Sequence, residues 1–282
     1  MNTHGSRAGV DASSALDYCS QRIAAPGSTL HYAARFAKAD DRAALLGLFA
    51  LADELQNLAW SRDTDLAAAR LHWWSDEIAC LWHGSPRHPA TVCLAALRPQ
   101  FDPAPLIRSL EAVSAVLEVS EDAGPQRSGA HYQRVMWSEV MICICRVLGG
   151  HSSASDGFAR HLGNGHGLAE LLLNLGLVAR RRPALLPREL SAAASNKAAL
   201  AYAVHEHTAA AGEEFAAARR ELPPDRLRGQ LPALVLAAID EATLAEMDPH
   251  SVTEVRTRLT PLRRAWIALR THRQVTRQEK RS

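Results

Sequence analysis

Two stretches near the middle of the chain, 130–148 and 159–179, carry apolar residues on most sides at helical spacing, and such helices belong in the centre of a bundle. Their longest apolar runs, 141–145 and 171–179, are closed by Arg146 and Arg180. Both fall well short of the roughly 20 apolar residues that a membrane helix requires. No other stretch alternates apolar and polar residues for long, and β-branched residues are sparse. The chain is therefore expected to be all-α, with these two helices at its centre.

The remaining helices follow from periodicity and breakers. Helices are predicted over 13–23, 30–36, 42–60, 66–82, 91–97 and 103–119, then 197–221, 231–245 and 251–273. Ala25-Pro26-Gly27-Ser28, His83-Gly84-Ser85-Pro86 and Asp122-Ala123-Gly124-Pro125 read as breaks. No internal repeat or linker interrupts the series. The expected organisation is a flexible 1–14, one domain over 15–273 and a basic tail over 274–282.

Charge and cysteines narrow the functional classes. Thirty-two Lys and Arg against 30 Asp and Glu leave a formal charge of +2, which argues against a nucleic-acid binder. The five cysteines show no CxxC spacing and read as buried thiols. The N-terminus lacks the apolar core of a secretory signal, so a soluble, cytoplasmic protein is expected. From Arg256 onward come Arg258, Arg263, Arg264, Arg270, Arg273, Arg277, Lys280 and Arg281, with Glu279 the lone acid. A basic end of this kind suits a solvated helix face and allows at most peripheral contact with an anionic membrane.

Several segments, in order, resemble the squalene/phytoene synthase family of head-to-head prenyl transferases. They are Tyr18-Cys19 with GSTLHYAARF (27–36), the stretch 42–50, RLHWWSDEI (70–78) with GSPRHP (84–89), the helix 132–149, and NLGLVARRRPALLPREL (174–190). The resemblance spans roughly 15–273 and implies a single-domain isoprenoid-synthase-like bundle with a central cavity. Met136, Val140, Ile144, Leu168, Leu171, Leu172 and Leu175 would line that cavity. Family chemistry ionises an allylic diphosphate, and Mg²⁺ held by carboxylates neutralises the leaving group. Two facing helices supply those carboxylates, with the patterns DDxxD and DxxxD.

Aligned on these segments, LFALADELQNLAW (48–60) puts Gln56, Asn57 and Trp60 at the three positions of the first motif. The Leu186-Pro187 end of the later segment puts Asn174 and Val178 at the second pair. Amides can hydrogen-bond but bring no negative charge to Mg²⁺, and Trp and Val cannot ligate it. Acids one turn away could substitute: Asp53 three residues before Gln56, Glu170 four before Asn174, with Glu54 or Glu77 as a displaced pair. Between Glu170 and Glu189 there is none. "ELQNLA", "RLHWW" and LTPLRRAWIALR (259–270) resemble a non-catalytic branch that includes the mitochondrial assembly factor for respiratory complex I.

The resemblance thus implies a pseudoenzyme without a cofactor. Such a protein would bind an isoprenoid or lipid, or dock a protein partner during assembly of a respiratory complex. The alternative is a divergent synthase joining two prenyl diphosphates, with Asp53, Glu54 and Glu170 as Mg²⁺ ligands. Arg35, Arg180 and Arg181 are candidate diphosphate ligands, since guanidinium matches phosphate oxygens. For Arg180, Arg181 and Arg182, favourable cations at a helix C-terminus are the simpler reading.

Other constellations are weaker. His205-Glu206-His207 has the wrong spacing for a helical metal site, and His83/His88 and His161/His166 suit loop or cap roles. GNGHG (163–167) lacks the strand and the GK[ST] of a phosphate loop, so its glycines are expected to permit close helix packing. Trp73 and Trp74 are adjacent, one expected in the core and one at the rim, where Trp74 could touch a membrane.

Overall fold

A computed structural model describes residues 11–96, 102–118, 129–149 and 153–280. All regular structure among them is helical. The α-helices are α1 (Ala12–Ile23), α2 (Thr29–Ala34), α3 (Ala39–Ala59), α4 (Thr64–His83), α5 (Pro89–Val92), α6 (Ala104–Leu117) and α7 (Gly129–Val147). After them come α8 (Ser153–Leu173), α9 (Leu175–Arg181), α10 (Arg188–Ala192), α11 (Lys197–Glu221), α12 (Leu231–Ala245) and α13 (Pro261–Glu279). The helix ends follow side-chain chemistry. Asp11, Asp63 and Asn196 cap α1, α4 and α11 by accepting from backbone N–H groups of the first turn, and Gly84, at φ 82°, closes α4.

The two apolar central helices pack against each other more extensively than any other pair, with α11 and α12 on the far side of α8 and α3 and α6 against α7. Glycine makes this approach close. A Cβ on Gly163 would overlap the Ser138 backbone, and one on Gly167 would lie 2.8 Å from the Gln133 carbonyl oxygen. Gly165 points the other way, where a Cβ would come within 2.8 Å of the Phe215 ring on α11. GNGHG is thus a two-sided packing surface.

Several boundaries differ from the sequence expectation. The expected helix 159–179 begins earlier, at Ser153, and breaks at Asn174. There the Asn174 side chain donates to the Glu170 carbonyl at 2.8 Å, competing for the helix's own acceptor. The expected helix 251–273 starts only at Pro261, because proline disfavours a helical conformation in the residue before it. Thr260 instead caps α13, its Oγ1 accepting from Arg263 N. The helix runs on to Glu279, past the boundary expected at 273, and α1 begins at Ala12, inside the segment expected to be flexible. The helix expected at 91–97 is the short α5, started by His88, whose Nδ1 accepts from Ala90 N. The break at 122–125 lies outside the described residues.

Glu77 organises the turn that precedes α5. Fully buried, it accepts from Arg87 N (2.6 Å), Arg87 Nε (2.9 Å), His88 N (2.8 Å) and Thr91 Oγ1 (2.5 Å). Burial alone would raise its pKa, but these donors hold the carboxyl below the ordinary glutamate range. Glu77 is therefore committed to the His88-Pro89 turn. Of the adjacent tryptophans Trp74 is the buried one, 3% exposed, which removes it from any membrane contact, and Trp73 lies at the rim.

Candidate functional site

The C-terminal half of α3 faces the junction between α8 and α9, and three side chains meet there. Gln56 Nε2 donates to Glu170 Oε2 at 3.2 Å, and Asn174 Nδ2 donates to the same oxygen at 2.9 Å. The other end of the Gln56 amide accepts from Trp137 Nε1 on α7 at 3.0 Å. Gln56 and Asn174 are both buried, and the Nδ2 of Asn174 donates to the Glu170 carbonyl as well as to its carboxylate. Arg256 approaches Glu170 at 3.9 Å and adds a positive charge. One carboxylate thus sits between two amide donors and a guanidinium.

The acids one turn earlier on α3 are bound elsewhere. Arg22, on the last turn of α1, reaches both: its Nε donates to Asp53 at 3.0 Å, and its NH2 lies 2.9 Å from Asp53 and 2.9 Å from Glu54. Asn57 Nδ2 also donates to Asp53, at 3.2 Å. Burial raises the Glu54 pKa against the pull of Arg22, which disfavours its charged form. Trp60 and Val178, the remaining motif positions, are packed in the core at 5% and 0% exposed. Amide, indole and isopropyl groups offer Mg²⁺ no anionic oxygen. The three nearby carboxylates already accept from Arg22, Asn57, Gln56 and Asn174. This donor set does not fit a Mg²⁺ cluster, and among the described residues no group of three or more His, Cys, Asp or Glu is placed to hold a metal ion.

The profile of squalene/phytoene synthases matches residues 23–269. The chain belongs to the squalene/phytoene synthase family. A crystal structure of a dehydrosqualene synthase in complex with a ligand superposes with a TM-score of 0.58 at 13% identity, covering 94% of this chain and 98% of that one. At that identity the likeness establishes the all-α isoprenoid synthase fold. No curated protein sequence matches the chain.

Within this squalene/phytoene synthase fold, the seven residues expected to line the cavity are all buried. Ile144 borders a void with Ala33, Leu45, Phe49, Pro232, Ala233 and Leu236 that has no room for a water molecule. Beside it His166 on α8 lies edge-on to Trp137, with ring centroids 4.3 Å apart, and its Nδ1 is 2.6 Å from Asp240 Oδ2 on α12. Burial opposes charge on both partners and pushes the Asp240 carboxyl up, while Asp240 more than compensates at His166 and holds the imidazole above its usual range. A separate groove of about 450 Å³ lies between α4 and α6, walled by Leu71, Leu110 and Leu117 with Asp65, Glu111 and Glu118 at its edge. It contains none of the motif positions.

The candidate diphosphate ligands lie at helix ends. Arg35 follows α2 as its exposed C-terminal cap, and Arg181 is exposed at the end of α9. Arg180 is exposed and donates to the Thr253 carbonyl at 3.3 Å. Arg182 is buried and ties the end of α9 to the Ser61 and Val116 carbonyls. Arg22, Trp137, His166, Asp240 and Arg256 complete the polar centre; of these only His166 and Arg256 drew notice in the sequence. The loop or cap role expected for His161 and His166 is not what they have, since both lie inside α8 and pair with Glu214 and Asp240. The five residues of the centre lie up to 234 positions apart (256 − 22) and share no motif, so only the folded chain assembles them.

Proposed function

We propose that this protein is a non-catalytic member of the squalene/phytoene synthase family, a binding or assembly protein on a prenyl-synthase scaffold. The observation that carries this reading is the Gln56–Glu170–Asn174 bridge. Where Mg²⁺ chemistry needs several unpaired carboxylate oxygens facing a cavity, this bridge joins the two motif helices directly through neutral amides. Arg22 supplies Asp53 and Glu54 with the positive charge that a metal would bring. Without metal, a diphosphate leaving group would develop its charge with no Lewis acid to stabilise it. The function that remains is recognition, either of an isoprenoid or lipid, or of a protein partner during assembly of a respiratory complex.

The test is pyrophosphate release. Purified protein incubated with farnesyl or geranylgeranyl diphosphate and Mg²⁺ should release no pyrophosphate above the protein-free control, beside an active synthase as reference. Mg²⁺-dependent release that disappears in Asp53→Asn or Glu170→Gln would overturn the reading. It would show that the paired acids are freed to bind metal during turnover.

A further inference from the structure

Helix α13 is buried along one side only. Ile267, Ala268 and Val275 pack inward against α12 and α2, His272 stacks on Phe36, and Arg264 donates to the Gly27 carbonyl at 2.8 Å. Its outer side carries three exposed large apolar residues, a larger number than any other helix among the described residues: Leu262 at 84%, Trp266 at 58% and Leu269 at 52%. At 100° per residue these three lie within about 60° of one another, a single stripe one turn apart. Arg270, Arg273, Arg277 and Lys280 continue the same side toward the C-terminus. Arg270 lies over the Trp266 ring, 5.3 Å from its centroid. Arg273, Arg277 and Lys280 form no ion pair among the described residues, whereas Arg263, at the margin, is paired with Glu246. Glu279, the one acid of the helix, rotates to the opposite side.

An apolar stripe led by Trp and followed by unpaired cations on the same face is the arrangement of a helix lying in a membrane interface. Water is a poor partner for the stripe, and a neutral protein surface is a poor partner for the cations. An anionic bilayer satisfies both, with hydrocarbon below the tryptophan and headgroup phosphates beside the guanidinium groups. We propose that the outer face of α13 docks this protein peripherally on an anionic membrane, inserting Leu262, Trp266 and Leu269 and pairing Arg270, Arg273, Arg277 and Lys280 with lipid phosphates. No helix of the described residues is long and apolar enough to cross the bilayer, so attachment is reversible.

Co-sedimentation of the full chain with phosphatidylcholine vesicles containing about 30 mol% phosphatidylglycerol tests this, with pure phosphatidylcholine vesicles alongside. Binding is expected to the anionic vesicles, with affinity falling about ten-fold or more in Trp266→Ala and in Arg270→Glu/Arg273→Glu. These side chains are exposed, so the variants should melt like the parent. In the unaltered protein, lipids brominated on the acyl chain should quench fluorescence that is missing from Trp266→Phe. Protein left in the supernatant, equal binding to both vesicle types, or binding indifferent to these substitutions overturns the proposal. So does a dimer in sedimentation that Trp266→Glu disperses, which would assign the face to a second copy of the chain.

Discussion

The middle of α8 and its C-terminal end are held by opposite kinds of contact. Around Gly163 and Gly167 the helix lies against the α7 backbone with no side chain between them, and what fixes it is volume. At Glu170 and Asn174 the same helix meets α3 through matched donors and acceptors. A volume constraint accepts no larger residue but is indifferent to charge. A hydrogen-bonded seam accepts changes of size more readily but fails when one partner is lost. The glycine-packed stretch fixes how α8 lies on α7, and the amide-bridged end is where α8 meets the candidate site.

Overfilling the packed end should have the largest effect. Gly163→Val forces a side chain into the Ser138 backbone and is expected to cost about 3 kcal/mol or more, read as a lowered denaturant midpoint. Gly212→Ala, on α11 with open space around it, is expected to stabilise by about 0.5–1 kcal/mol in the same experiment. Equal responses at the two glycines would remove the volume argument. At the hydrogen-bonded end, Glu170→Ala leaves the Gln56 and Asn174 amides without their shared acceptor and should cost about 1–2 kcal/mol. Glu170→Gln should recover part of that loss, since an amide oxygen still accepts. A Glu170→Ala variant as stable as the parent would show that the seam holds nothing.

The smallest effect is expected at the His166–Asp240 pair between the two ends. The His166 pKa is raised in the fold, so its contribution is complete below the ordinary histidine value near 6.5 and is lost as pH rises through the folded value. Burial raises Asp240 as well, which acts in the same direction. Urea midpoints of the parent should therefore fall relative to those of His166→Phe as pH climbs from 6.5 toward 9. Parallel profiles would mean that the pair holds no extra proton.

The fold was legible because helical periodicity and breakers are local. The stretches 42–60, 66–82 and 197–221 lie within a few residues of α3, α4 and α11. Where the reading went astray, a local signal was present but outweighed by the apolar pattern around it. The asparagine within 159–179 bends the helix through its own side chain, and Thr260-Pro261 marks a start that a longer amphipathic run conceals. At the candidate site the alignment of segments named Gln56 and Asn174, and the structure brings both to Glu170. The partners Arg22, Trp137 and Arg256 were not legible, because each comes from a different part of the chain and is an ordinary residue in its own helix. The spacing of Trp73 and Trp74 showed that they diverge but not which of them turns inward; that depends on the packing of α4.

The amide bridge also makes the present state hard to leave. Aspartate in place of Gln56, one methylene shorter, would lose the amide that donates to Glu170 and set a second anion near it with no donor between them. Aspartate in place of Asn174 would turn a group that donates to both the carbonyl and the carboxylate of Glu170 into one that repels them. Each of these substitutions taken alone weakens the seam before any cation can reward it. The seam therefore resists stepwise change, and an acidic cage at these positions would require several residues to change together.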